Sequence, residues 1–395
     1  MIDSTRLRLP GAAGLFALAL LVLALLAVAA LPALAIPRYA ARYQQDCGLC
    51  HVNPTGGGQR TAYAVQYLVP AEMAARSYTP EQLAALEPQI SKNVSIGLDL
   101  RTIHHYADRE EIPFDNFLQM QASMYLTVQL DARLLACINR GMSQTTEAYG
   151  IGYMLPFHGY VKVGRFVPAY GWRFADHTMF VRQRPLGQGR GIADLGGAPS
   201  PSTDVGMEIG AFPGRFSVTA SVINGNLGAT FDDNERPGYA AQALYRFTRG
   251  SVGFGLGGSV WRNHEELGRR TAAGPMGYAK LGRLTWVGEV DWSRLRLSEP
   301  EEAAGLEKTW TVSHEVGWLI RRGLELRATH DFHDPDLDVK NGSRSRYGIG
   351  LETMPWPFVV VEGKVDFHDV DAPDSEDGAQ PRDYTQAQVQ VHLFY

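Results

Sequence analysis

The chain has 395 residues, 45% of them hydrophobic and 20% charged, and a formal net charge of −5. That balance gives no hint of a nucleic-acid-binding surface, and beyond the N-terminal stretch no apolar run approaches the roughly twenty residues of a membrane helix. Length alone suggests two or three domains of an average soluble protein, which the patterning below contradicts.

The first element is a leader. Arg6 and Arg8 form a basic n-region, residues 15–35 an apolar run, and Ala33-Leu34-Ala35 a small-x-small cleavage site. This predicts a signal peptide over 1–35 and a mature chain from Ile36. A retained anchor is the competing reading, because the run is nearly long enough to span. In either case the chain crosses an inner membrane, and Cys47 meets a thiol-oxidising compartment.

Next comes "DCGLCHVNPTGGGQR", residues 46–60. Cys47-Gly48-Leu49-Cys50-His51 has the spacing of c-type haem attachment. Two thiols on one helical turn add across the porphyrin vinyl groups, and the adjacent His51 reaches the iron as axial ligand. A redox dithiol wants a thioredoxin-like context, and a half zinc site wants a second ligand pair; neither is present in the sequence. Asn53-Pro54 and Gly56-Gly57-Gly58 turn the chain after the histidine. A short helix is predicted over 59–69, presenting Ala62, Val65, Leu68 and Val69. A second follows Thr79 as N-cap, with Pro80 at N1 and Gln82 closing a capping box.

These elements define a small α-helical monohaem module over 36–91, too short to bury a large core, so one covalent haem c supplies much of it. Within 36–91 the only histidine is His51 and the only methionine is Met73. Met73 is therefore the candidate sixth ligand, or a side chain merely packing beside the haem. His104, His105 and His158 are rivals if a barrel wraps the haem, and an open sixth site is the remaining possibility.

From residue 92 to 395 the pattern changes to period two. Thr385, Ala387, Val389, Val391, Leu393 and Tyr395 share one face, and Tyr384, Gln386, Gln388, Gln390 and His392 the other. Val359, Val361, Val365 and Phe367 oppose Glu362, Lys364, Asp366 and His368. Leu284, Trp286, Val290 and Trp292 oppose Glu289, Asp291 and Ser293, and Leu324, Leu326, Ala328 and Phe332 oppose Glu325, Arg327, Thr329 and Asp331. A soluble sandwich also alternates, but here tyrosine and tryptophan recur near strand ends, as interfacial girdles require.

The connections alternate in length. Residues 130–133, 155–159, 212–215, 248–250, 282–283, 321–323 and 354–357 are short. The long ones, around 107–115, 231–237, 298–307, 334–338 and 369–383, hold nearly half of the 42 acidic residues. Short turns on one side and long loops on the other describe an all-β transmembrane antiparallel barrel of the bacterial outer membrane, of about sixteen strands, with fourteen and eighteen as neighbouring counts. Both termini then lie on the periplasmic side, and the Cys-x-x-Cys-His segment lies at the periplasmic mouth or in the lumen.

Three further features stand apart. Cys137 reads as a packed or lipid-facing thiol. His330, Asp331, His333 and Asp334 read as a solvated strand end or a metal cluster. The Gly/Pro-rich, basic stretch 182–202 either enters the lumen or is mobile.

The leader, "RYAARYQQDCGLCH", the short haem module and a barrel ending on an aromatic residue together resemble the fused monohaem cytochrome–porins of bacterial outer membranes, some of which are surface iron oxidases. Residues 159–178 are similar to a segment of porin partners of electron-conducting cytochromes, and "VNPTGGGQR" departs from the iron-oxidising members. The resemblance implies thioether attachment at Cys47 and Cys50 and proximal ligation by His51. It implies electron transfer between an extracellular donor, Fe(II) being one candidate, and a periplasmic cytochrome or other acceptor. Acidic loops would concentrate such a cation, or serve only solubility and bound divalent ions. The alternatives are a barrel sheath within a larger multihaem conduit and a diffusion porin with a tethered haem.

Overall fold

The computed structural model describes residues 38–108, 114–141, 146–172, 203–225, 236–265, 268–297, 306–339, 342–371 and 383–395. The leader over 1–35 and the stretch 182–202 lie outside the described residues, as does most of the acidic loop sequence.

Four short helices come first: α1 (Arg38–Tyr43), α2 (Cys47–Cys50), α3 (Ala64–Met73) and α4 (Pro80–Ala85). Thr79 and Gln82 form the predicted capping box on α4. The helix predicted over 59–69 is displaced and is of the wider π type, with Pro70 inside it. Proline has no N–H to give the fourth residue back, and the turn relaxes so that Ala74 N bonds to Val69 O at 3.1 Å. The wider turn buries Ala64, Val65, Leu68 and Val69 and leaves Ala62 exposed.

Strands follow: β1 (Gln89–Ser91), β2 (Val94–Asp108), β3 (Phe114–Gln129), β4 (Leu134–Gly141), β5 (Thr146–Leu155), β6 (Gly159–Phe166), β7 (Asp204–Ala211) and β8 (Phe216–Ile223). The remainder are β9 (Gly238–Arg249), β10 (Val252–Glu265), β11 (Gly268–Leu281), β12 (Leu284–Leu297), β13 (Leu306–Arg321), β14 (Leu324–Asp334), β15 (Arg344–Trp356), β16 (Val359–Val370) and β17 (Tyr384–Phe394). From β2 onward each strand pairs antiparallel with the next. β17 then pairs back onto β2, from Thr385↔Asp108 to Phe394↔Asp99. The result is a closed sixteen-strand barrel with β1 as one extra strand on β2. All seven connections expected to be short are tight turns at one end of the barrel.

Alternation places opposite chemistry on the two faces. On β17, Val389, Val391 and Leu393 are 40–52% exposed, while Gln386 and Gln388 are buried. On β16, Phe367 is exposed, while Glu362, Lys364, Asp366 and His368 are buried. The apolar face is outside and the charged face inside, the inverse of a soluble sandwich. Outward aromatics mark both margins, with Phe254, Trp318 and Trp356 toward the short turns and Trp292, Trp310 and Tyr347 toward the long loops. Among the described residues no helix is long and apolar enough to cross a membrane, which says nothing of crossing by strands.

The lumen wall satisfies its charges in pairs, as buried charges must be. Arg327 bonds to Glu315 at 2.5 Å and to Glu362, Arg346 bonds to Asp331, and Lys364 pairs with Asp366 at 2.9 Å.

Candidate functional site

Residues 38–86 enter the barrel at the short-turn end and touch the wall on several sides. Arg38 reaches three carboxylates of β13–β15: Nε to Glu315 at 3.2 Å, Nη1 to Glu325 at 3.3 Å and Nη2 to Glu352 at 2.5 Å. Arg42, one turn further on α1, pairs with Glu325, and the Tyr39 hydroxyl donates to Glu352. Burial lowers the Arg38 guanidinium, but the Glu352 and Glu315 carboxylates outweigh that and hold it well above its ordinary value. Burial, reinforced by Glu352, pushes the Tyr39 phenol up.

Other anchors lie around the ring. Asp46 meets Arg246 of β9 at 3.1 Å, and Arg60 meets Asp99 of β2 at 3.3 Å with its guanidinium 4.1 Å from the Phe394 ring. Thr127 of β3 donates to Gln59 Oε1 at 2.6 Å, and Lys162 of β6 donates to Asn53 Oδ1 at 3.2 Å. At the rim, Arg322 donates to the Ala71 carbonyl at 2.8 Å and to Ser77 Oγ at 2.9 Å.

A second stretch enters the lumen from the wall itself. After β6 the chain leaves the sheet, and Val167, Ala169, Tyr170 and Trp172 are buried. The Tyr170 hydroxyl donates to Asp291 at 2.8 Å, and Trp172 donates from its backbone N to Glu289 at 2.7 Å and from Nε1 to the Gly288 carbonyl at 3.0 Å. Trp172 shares an apolar cluster with Ala41 of α1. The two insertions therefore meet inside the barrel.

The cysteine motif sits within the first insertion. α2 is a single turn that ends where His51 adopts an extended conformation, its backbone N bonding to Cys47 O at 2.7 Å. Thr61 holds the end of that turn, donating its N–H to Cys50 O at 3.0 Å and its hydroxyl to Leu49 O at 2.6 Å. Cys47 and Cys50 are partly exposed and are not joined in a disulfide. Burial, opposed by Arg60 and aided by Asp46, lifts the Cys50 thiol to about 11.

His51 Nδ1 lies 3.3 Å from the Gly58 carbonyl oxygen. A carbonyl only accepts, so this contact places the imidazole proton on Nδ1 and the lone pair on Nε2. The carbonyl is delivered by a tight turn. Asn53 Nδ2 donates to Gly56 O at 3.0 Å, Gly56 N donates back to Asn53 O at 2.9 Å, and Val52 N bonds to Gln59 O at 2.9 Å. Gly56, Gly57 and Gly58 all have positive φ, 88°, 72° and 69°. At Gly56 an added Cβ would also lie 3.2 Å from the Cys47 sulfur.

The donor set fits a c-type haem. Two thiols share one helical turn, and the histidine beside them has its second nitrogen against a backbone carbonyl, the usual outer-shell partner of an iron-bound imidazole. Arg60 Nη1 is buried with no hydrogen-bond partner among the described residues, a donor suited to an anionic haem substituent. Met73 is buried in an apolar cluster with Val65, Leu68, Val69, Met354, Phe358, Val360 and Phe394, and Cys50 packs against the same cluster. The structure thus brings Met73 and Cys50 to one apolar cluster, with four of its nine buried side chains supplied by the barrel.

The remaining candidates separate. His104 is on the outer face, 2.8 Å from Asp115. His105 pairs in register with the lumenal Gln388, and His158 is exposed at the β5–β6 turn. Cys137 faces inward, buried among Tyr149, Ile151 and Tyr160, so it is packed and not lipid-facing. His330 stacks on Tyr347 on the outer face, at 4.9 Å between ring centres, whereas His333 and Asp331 are buried in the lumen. No metal-holding group of His, Cys, Asp and Glu exists among the described residues. Alternation splits that sequence cluster, and its inner half is paired: Thr311 with His333, Ser313 and Arg346 with Asp331. The anchors Arg38, Arg42, Arg60 and Lys162 were not singled out from sequence. The signal at hand was the i, i+4 spacing of Arg38 and Arg42 just before the motif.

No family model matches the chain, and no curated protein matches its sequence. Its fold does have solved counterparts. The anion-selective porin of Comamonas acidovorans superposes with a TM-score of 0.55 at 14% identity, over 76% of this chain and 99% of that one. The outer-membrane channel DcaP of Acinetobacter baumannii gives 0.55 at 10% identity, over 78% and 100%. OmpF of Salmonella typhi gives 0.52 at 12% identity, over 77% and 98%. The barrel has the fold of the outer-membrane porins.

Proposed function

We propose that this chain is a bacterial outer-membrane barrel that carries one c-type haem on its lumenal segment and passes electrons between an extracellular donor and a periplasmic carrier. The observation that carries the reading is the Cys47-x-x-Cys50-His51 turn held inside a porin-type barrel, with His51 Nδ1 against the Gly58 carbonyl. When bound, the haem supplies a one-electron couple.

The chain's own residues do the rest. Cys47 and Cys50 would hold the group covalently, and His51 would ligate its iron. Val65, Leu68 and Val69 form an apolar cluster beside Cys50 that includes Met73, the candidate sixth ligand. Short turns are periplasmic in outer-membrane barrels, and on that orientation the segment would be open to a periplasmic carrier. The acidic long loops raise the local concentration of a cationic donor such as Fe(II). A barrel spans about 30 Å of membrane, more than one macrocycle covers, so the donor enters the lumen or a second carrier completes the path.

A second reading is a diffusion porin whose tethered haem is a plug or sensor, favoured by the porin neighbours and the polar wall. Against it stand the two insertions that meet through Ala41 and Trp172. Reductive titration of the detergent-solubilised protein, followed by visible spectrum, separates the readings. A c-type α-band bleached by oxidant and restored by Fe(II) supports electron transfer from iron. A haem inert to Fe(II) points to a conduit component or a sensor. No covalent haem leaves a porin.

A further inference from the structure

Lys162 is fully buried, with 0% of its surface exposed. Its ammonium lies 2.5 Å from Glu208 Oε1, and the rings of Phe166 and Tyr149 lie 4.5 and 5.5 Å away. Glu208 is itself held by the Tyr160 hydroxyl at 2.9 Å and Ser221 Oγ at 3.0 Å. That wall arrangement already neutralises the buried charge. The ammonium nevertheless reaches off the wall, donating to Asn53 Oδ1 at 3.2 Å and to Thr55 Oγ1 at 3.4 Å.

Asn53 is the hub of the turn after the histidine. Its Oδ1 also accepts from Thr55 N at 3.3 Å and Thr55 Oγ1 at 3.0 Å, while its Nδ2 holds Gly56 O. The returning leg is fixed from the wall as well, by Thr127 on Gln59 at 2.6 Å. Between the two clamped legs lies Gly58, whose carbonyl faces His51 Nδ1. Three consecutive glycines have little stiffness of their own, so the carbonyl's position is set by what holds the legs.

We propose that Lys162 is a positioning residue for His51. From the barrel wall it fixes the Asn53–Gly58 turn, and through the Gly58 carbonyl it sets the orientation and donor strength of the imidazole, so that the barrel tunes the redox couple of the segment it encloses. The proposal rests on the haem reading above. A carbonyl accepting from Nδ1–H makes the imidazole a stronger donor and favours the ferric state. Loosening the turn weakens that bias and raises the midpoint potential.

The test is spectroelectrochemical titration of the full-length protein in detergent. Lys162→Met combined with Glu208→Gln removes the buried pair as a unit and leaves no orphan carboxylate. The expected result is wild-type covalent haem content with a potential raised by about 59 mV, a tenfold change in the ferric-to-ferrous ratio for a one-electron couple. Thr127→Val loosens the other leg without touching a charge and shifts the potential in the same direction. It carries the test alone if the double variant does not form the barrel. Unchanged potentials in Lys162→Met/Glu208→Gln and Thr127→Val, at equal haem content, overturn the positioning role and leave the haem reading standing. Absence of haem from the wild type removes both.

Discussion

Arg38 is the side chain whose loss most directly tests whether the lumen is closed by its own N-terminal segment. Its guanidinium contacts Glu315, Glu325 and Glu352 at 2.5–3.3 Å. Arg38→Met keeps most of the aliphatic volume and leaves three buried carboxylates to Arg42, Arg327 and the Tyr39 hydroxyl. Removing one partner of a buried ion pair costs about 3–5 kcal/mol. At about 1.4 kcal/mol per decade, undocking of α1 becomes roughly a hundredfold to a few thousandfold more frequent. Asp46→Asn, which weakens one contact to Arg246 at 3.1 Å from a more exposed carboxylate, costs about 1 kcal/mol and gives roughly tenfold or less. Single-channel recording in planar bilayers reads the difference. Wild-type protein is expected to stay mostly closed, Asp46→Asn to flicker slightly more, and Arg38→Met to open often. Arg38→Met that folds as a heat-modifiable barrel yet matches wild-type conductance would refute the latch, and a fully open wild type would refute the plug.

Three other perturbations follow from the site. Met73→Leu preserves apolar volume, so the plug stays docked, and the midpoint potential falls if the thioether is the sixth ligand; an unchanged potential assigns Met73 to packing. In haem-free protein the Cys50 thiol, raised from 9.0 to about 11 by burial, stays protonated through neutral pH. Its burial contributes stability that is complete below pH 9 and is lost as pH climbs through 11, so iodoacetamide labelling of Cys50 and plug undocking rise together in that window. Labelling already complete at pH 8 contradicts the burial. Excision of residues 36–91 is the third.

The barrel was legible because a membrane-exposed sheet has to alternate. Val389 against Gln388 and Phe367 against Asp366 carry their faces in the sequence, and each tight turn interrupts the alternation at a recognisable residue such as Gly214, Gly282 or Gly323. The Cys47-x-x-Cys50-His51 spacing was legible as a motif, and its two cysteines share the single turn of α2. The lumenal contacts were not. Arg38 finds Glu352 at a separation of 314 residues, and nothing local records that pairing. The π-turn of α3 was missed for a related reason. Pro70 announces a disturbance, but the packing of Leu68 and Val69 against Met354 and Phe358 lets the helix widen where it would otherwise break.

The anchors also say how the motif acquires a fixed geometry. α2 is one turn long, α4 has no buried residue, and the apolar cluster beside Cys50 is completed by Met354, Phe358, Val360 and Phe394 from β15–β17 and the β15–β16 turn. A segment of this size buries too little surface to order itself, and Arg38, Arg42, Asp46 and Arg60 find their oppositely charged partners on the wall. Docking therefore selects the conformation: Arg38 and Arg42 on one side, Asp46, Asn53, Gln59 and Arg60 around the rest. It follows that residues 36–91 expressed alone in the periplasm with haem attached will lack the His51–Gly58 geometry, show a broadened titration and be cleaved quickly by trypsin at Arg38, Arg42 and Arg60. The same sites in the full-length barrel will be protected, since Arg42 and Arg60 are held at the wall. If the excised segment titrates as one sharp couple at the full-length potential and resists trypsin equally, the segment is an autonomous domain and the barrel only its container.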